Sequence, residues 1–70
     1  MTVEPARGVV TEFDDPRGIG TVTTDAGRSL LFHCTALSDG TRTIEVGVAV
    51  AVEVEPGLPG TWEAVRVTRA

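Results

Sequence analysis

The residues able to do chemistry in this 70-residue chain are few, and two of them are adjacent. His33 is the single histidine and Cys34 is the single cysteine. A structural zinc site takes four ligands and an internal disulfide takes two cysteines, so this pair supplies neither. We therefore expect no metal site, no cofactor and no disulfide.

Two adjacent carboxylates, Asp14 and Asp15, are the next candidates, because a pair of acids can exchange protons with a substrate. They stand directly before Pro16, and this arrangement is typical of a turn. No nucleophile accompanies them, and a domain of this size has little room for a deep substrate cavity. The sequence predicts a protein that is not an enzyme and has no catalytic residues.

The charges and glycines bear on phosphate binding. Ten Asp and Glu residues oppose six arginines and no lysine, for a net charge of −4. This balance repels a polyanion at long range unless the arginines cluster. Gly18 and Gly20 lack a third glycine at the next fingerprint position, which is Thr23, so a dinucleotide-binding loop is not expected.

The elements that must position these side chains are strands, because apolar and polar residues alternate along most of the chain. The alternation is clearest at 48–55 and recurs at 19–23, 30–33 and 64–68, while 8–13 is β-prone. Turn-forming Asp, Gly and Pro residues separate these segments.

Side-chain parity predicts which residues of each strand face the core. On the last strand it places Val65 and Val67 inward. On the first it would bury Glu12 together with Val10, at a cost of several kcal/mol, roughly, for an unpaired carboxylate. We therefore expect a bend or bulge near Thr11.

Five short strands leave exposed edges on an open sheet, and closure removes most of them. The sequence predicts an all-β fold, a five-stranded antiparallel closed barrel, in a single domain over residues 1–70 with its core at about 8–69. The longest uncharged apolar run, 46–52, is far shorter than the roughly 20 residues of a membrane helix, and no signal peptide is evident. We expect a cytoplasmic monomer that does not contact membranes.

Three blocks of sequence carry a family resemblance: Gly8-Val9-Val10-Thr11-Glu12-Phe13-Asp14, Arg17-Gly18-Ile19-Gly20-Thr21-Val22 and Leu30-Leu31-Phe32-His33-Cys34-Thr35-Ala36-Leu37. With these blocks in order and their spacing kept, the chain resembles bacterial cold-shock proteins over about residues 8–69. The resemblance implies a cold-shock-domain barrel of the oligonucleotide/oligosaccharide-binding type. It also implies binding of single-stranded RNA or DNA through two aromatic-rich motifs on adjacent strands.

Most ring positions of the family's binding face carry other residues here, namely Glu12, Ile19, Thr21, Leu31, Cys34 and Thr41. Aliphatic, small or polar side chains at these positions remove surfaces on which bases would stack. The family pattern is kept at Phe13, Arg17 and His33. We interpret the chain as a divergent member of the family.

Trp62 stands where the family has a proline or a polar residue, and its parity predicts a side chain that points outward or lies at the barrel rim. We predict a reduced binding face with Phe13, His33 and Trp62 as stacking rings, Arg17, Arg42 and Arg66 as phosphate contacts, and Ile19, Thr21 and Leu31 between them. The alternative for Trp62 is a ring that covers the open end of the barrel, where burial of its apolar area stabilises a small domain. Two stacking rings contribute roughly 2–6 kcal/mol, whereas a Kd of 1 μM needs about 8.2 kcal/mol. Binding is therefore expected to be weak.

Two functions remain open at this point. The first is weak, largely nonspecific binding of single-stranded RNA or DNA, as an RNA chaperone or regulator. The alternative is a barrel whose nucleic-acid face has degenerated and now docks a protein partner, through Glu12, Ile19, Thr21 and Leu31. The acidic balance of the chain favours this alternative, and the retained family residues favour the first.

Overall fold

The computed structural model describes residues 4–56 and 62–70. Its strands are β1 (Glu4–Asp14), β2 (Ile19–Thr24), β3 (Ser29–His33), β4 (Ala49–Pro56) and β5 (Trp62–Arg69). A single 3₁₀ turn, η1 (Cys34–Ala36), follows β3. Within the described residues, no helix is long and apolar enough to cross a membrane.

The strands close into a barrel in the order β1-β2-β3-β5-β4, which confirms the predicted fold. Four of the strand pairings are antiparallel, and the closing pairing of β3 with β5 is parallel. The parallel pairing follows from the number of strands, because strand directions cannot alternate all the way round a ring of five.

The core consists of the inward residues of every strand. Val10, Val22 and Leu30 are fully buried, and Val50, Val52 and Val54 form the inner face of β4. These positions confirm the alternation predicted for β2, β3 and β4. Phe32 is also buried, and its ring fills the space beside Gly20, where an added Cβ would lie 2.6 Å from the ring.

Two bulges set the direction of the remaining side chains. The register of β1 against β2 shifts between Val10 and Glu12, which confirms the expected bulge and leaves Glu12 exposed. A second register shift, which was not predicted, occurs between β4 and β5. Glu53 pairs with Arg66 and Val54 pairs with Ala64, so Val65 is the extra residue. Because of it, Ala64 and Val67 are buried and Val65 is exposed, so the prediction that Val65 faces inward is wrong.

The connection between η1 and β4 is held against the barrel by both apolar and polar contacts. Leu37 and Ile44 are buried in the core cluster. Arg69 forms an ion pair with Asp39, and its Nη2 donates to the carbonyl oxygen of Thr43 at 2.9 Å. The C-terminal strand therefore fixes the path of the long loop.

Candidate nucleic-acid interface

An open groove of about 980 Å³ crosses the outer surface of β1, β2, β3 and the start of β5. Five of the residues predicted for the binding face line it, namely Phe13, Ile19, Thr21, Leu31 and His33. Leu31 is the most accessible of its apolar residues on β2 and β3, with 56% of its surface exposed against 42% for Ile19. The groove therefore has an aliphatic floor.

The strand register arranges the outward side chains in two rows. One row runs from Glu12 through Thr21 and Leu31 to Glu63. The other runs from Asp14 on β1 through Ile19 on β2 to His33 on β3. Neighbours within a row lie about 5 Å apart, so each row forms a continuous surface across the strands.

His33 lies at the end of β3 and has two contacts that orient its ring. Nδ1 accepts a hydrogen bond from the backbone N–H of Thr35 at 3.3 Å and lies 3.0 Å from the Thr35 hydroxyl. An accepting Nδ1 places the proton of the neutral ring on Nε2. The side chain thereby caps η1, a role that the sequence analysis missed, and still presents one donor and an exposed ring to the groove.

Phe13 lies deeper in the groove than His33 does. Its ring is partly buried and stacks on Phe32, with the centroids 6.1 Å apart and the planes at 17°. The Phe13 ring therefore packs against the core and also lines the groove. The stacked pair anchors the floor of the groove to the inside of the barrel.

The arginines do not cluster in the groove. None of the six lies among its lining residues, although Arg17 belongs to the turn that joins Asp14 to Ile19. The Nε of Arg17 is 3.8 Å from Asp14, and its side chain is largely exposed. Arg42 lies on the loop between η1 and β4, and Arg66 lies on β5, where it pairs with Glu53 of β4. The structure therefore does not bring the three predicted phosphate contacts together.

The carboxylates, by contrast, border the groove. Glu12, Asp14 and Glu63 all line it. The Thr21 hydroxyl donates to Oε1 of Glu12 at 3.5 Å, which is a long contact. The local potential is therefore negative, in line with the net charge of the chain.

Trp62 lies apart from the groove lining. The guanidinium carbon of Arg28, in the turn between β2 and β3, is 4.7 Å from the centroid of its ring. Trp62 pairs with Pro56 and has the parity of buried Ala64, so it lies at the rim on the inner side of β5. Arg28 was not predicted from the sequence, because only closure of the barrel brings its turn to the start of β5.

Comparison with known proteins identifies the family. The chain is 35% identical over 65 residues to the major cold shock protein of Streptococcus pyogenes serotype M1, over 91% of this chain and 96% of that protein. It is 34% identical over 59 residues to the cold shock-like protein of Thermotoga maritima, over 83% of this chain and 89% of that protein. The chain belongs to the cold-shock protein family.

One further relative and one solved structure are also similar to the chain. Glycine-rich protein 2 of Nicotiana sylvestris is 40% identical over 65 residues, which are 90% of this chain and 30% of that protein. The solved structure of Drosophila Unr CSD456 has a TM-score of 0.78 at 20% identity, over 96% of this chain and 27% of that one, and this likeness concerns the fold. No protein-family model matches the chain. The family resemblance inferred from the sequence is confirmed, while the interpretation of its replaced rings stays a prediction.

Proposed function

We propose that this cold-shock protein binds single-stranded RNA or DNA in the groove across β1, β2 and β3, and acts as an RNA chaperone or regulator. The contacts are Phe13, Arg17, Ile19, Thr21, Leu31 and His33. The observation that carries the proposal is the position of the groove, which crosses the two strands on which the family's binding motifs lie.

The floor of the groove suits the faces of bases. Every base has an apolar face, and Ile19 and Leu31 are exposed side by side with His33 on the same surface. Stacking on aromatic side chains contributes roughly 1–3 kcal/mol per base. His33 is the exposed ring in these rows and the Phe13 ring is partly buried, so the binding we propose is weak and largely independent of sequence.

Electrostatics limits the affinity further. A cation that contacts a phosphate releases counterions, and each such contact in a single strand contributes a slope of about −0.7 to log K against log salt. With Arg17 at one end of the groove and carboxylates along its sides, one or two phosphate contacts are expected. The salt slope should therefore be shallow for a nucleic-acid-binding protein.

Fluorescence anisotropy of a labelled mixed-sequence single strand tests this function. We expect binding at low salt that weakens modestly when salt is raised to about 0.2 M, with a slope between roughly −0.7 and −1.4. Arg17→Gln should reduce that slope, and Arg42→Gln, which removes an equal charge outside the groove, should not. Absence of binding at low salt would contradict the proposal and favour a protein-docking face.

A further inference from the structure

We propose that the groove favours bases that present amino groups, guanine above all, over uracil and thymine, and that Glu12 makes this distinction. The inference rests on the proposed function, because it concerns which bases the same groove takes. It arises from the row of outward side chains that joins Glu12 to Glu63.

The row places a carboxylate at each end of an uncharged surface. Thr21 and Leu31 lie between Glu12 and Glu63 on neighbouring strands. Strands are spaced by about 4.8 Å, so the two glutamate backbones are about 14 Å apart. A base that lies on Leu31 and Thr21 therefore directs an edge towards a carboxylate.

The chemistry of that edge decides which base is favoured. An ionised carboxylate accepts hydrogen bonds and donates none. Guanine offers its N1–H and its N2 amino group side by side, which matches the two oxygens of one carboxylate, and cytosine and adenine each offer one amino group. Uracil and thymine place carbonyl oxygens on both sides of their single N–H, and these oxygens repel the carboxylate.

Glu12 is better placed for this role than the other acids of the groove. The bulge in β1 turns it outward, and the one long contact from the Thr21 hydroxyl to its Oε1 leaves lone pairs on both oxygens for a base. Asp14 has Arg17 beside it, which competes for its oxygens. Glu63 is paired in register with Glu55, so its surroundings are already acidic.

A single-base substitution series tests the inference. The probes are uridine oligomers of about seven nucleotides, within the usual site size, whose central nucleotide is uridine, guanosine or inosine. Inosine lacks the N2 amino group of guanosine and is otherwise the same. We expect guanosine to improve the affinity about fivefold over uridine, as a bidentate base contact at an exposed site would, and inosine to lose most of that gain.

A matched pair of variants assigns the effect to Glu12. Glu12→Gln and Glu53→Gln remove the same charge, and Glu53 is exposed on β4 outside the groove lining. Both variants should bind the uridine oligomer somewhat more tightly, because each lowers the repulsion of phosphates, so the readout is the ratio of guanosine to uridine affinity within each variant. Glu12→Gln should lose most of the preference, and Glu53→Gln should keep it.

The outcomes separate this inference from the proposed function. If the oligomers bind but guanosine gains nothing over uridine or inosine, the preference is wrong and the proposed function stands. If the preference survives in Glu12→Gln, another group makes it and the assignment to Glu12 is wrong. If no oligomer binds at low salt, the proposed function fails and this inference fails with it.

Discussion

His33 combines a structural role, the cap of η1, with the binding role that we propose for it. Its Nδ1 caps η1 through the Thr35 N–H, and the rest of its ring lines the groove beside Ile19. A change at this position therefore affects stability and binding together unless the replacement keeps one of the two roles.

Replacing His33 with Asn and with Ala separates the roles. Asn is a favoured capping residue, so His33→Asn should keep the melting temperature and weaken binding of a single strand about fivefold, because a stacking ring is lost. His33→Ala should weaken binding equally and also destabilise the fold by about 1 kcal/mol, because the cap is lost. Thermal melts and anisotropy titrations measure the two effects. Unchanged affinity in both variants would mean that the ring does not contact the ligand.

Individual residues also show what the sequence could and could not predict. The exposure of Leu31 and the burial of Phe32 follow from strand alternation, which depends on the sequence alone. The bulge at Thr11 was predictable because Glu12 would otherwise be buried without a partner. The contact between Arg28 and Trp62 was not predictable from the sequence, because these residues come together only in the closed barrel.

In β5, strand pairing overrides the simple alternation of inward and outward side chains. The register shift opposite Glu53 and Val54 places Val65 and Arg66 both outward. No turn residue or buried charge in the sequence indicates this bulge. Simple alternation therefore predicted that Val65 faces the core, whereas its side chain is exposed. The shift adds an aliphatic side chain to the groove that the sequence analysis did not assign there.

The loop between η1 and β4 depends on Asp39, whose environment makes its stabilising effect sensitive to pH. Hydrogen bonds from the Thr41 hydroxyl and N–H, together with the charge of Arg69, hold the pKa of this carboxyl below its ordinary value of 3.8. A lowered pKa in the folded state stabilises the fold at pH values above the ordinary value, and this stabilisation is lost as the pH falls through the folded value.

We therefore expect Asp39→Asn to lower the melting temperature at pH 7 and to lose this effect in strong acid. Asp15→Asn is the matched control, because it also removes one carboxylate from a chain with a net charge of −4 and lies on the turn before β2. Thermal melts between neutral and strongly acidic pH measure the difference between the variants. A difference that does not change with pH would contradict an ionised Asp39 as the cause.

Across the whole barrel, the groove and the Trp62 side chain occupy different places. The groove gathers five of the predicted contacts, whereas Trp62 and Arg28 pack against each other beyond its lining. The prediction that Phe13, His33 and Trp62 share one face is therefore not supported by their positions. The aromatic surface available to a base is smaller than the sequence suggested.

Replacing Trp62 with Ala should affect stability and leave binding unchanged. The loss of the contact with Arg28 should destabilise the fold by about 1 kcal/mol, the upper range for an exposed cation–π pair. Trp62→Phe keeps a ring for Arg28 and serves as the control, with a smaller loss. Denaturant unfolding and anisotropy titration measure the two properties. A fall in affinity without a loss of stability would return Trp62 to the binding face.

The parallel pairing that closes the barrel has a consequence for the size of the site. Among the described residues, β3 meets β5 in register at Leu31 and Glu63, and a separate bridge joins Leu37 to Val67. This seam between β3 and β5 has pairings only at separate positions. The two strands can therefore move apart locally with less loss of hydrogen bonding than β1 and β4, which pair continuously. Since Leu31 and Glu63 belong to both the seam and the groove, we expect local opening of this seam to widen the groove.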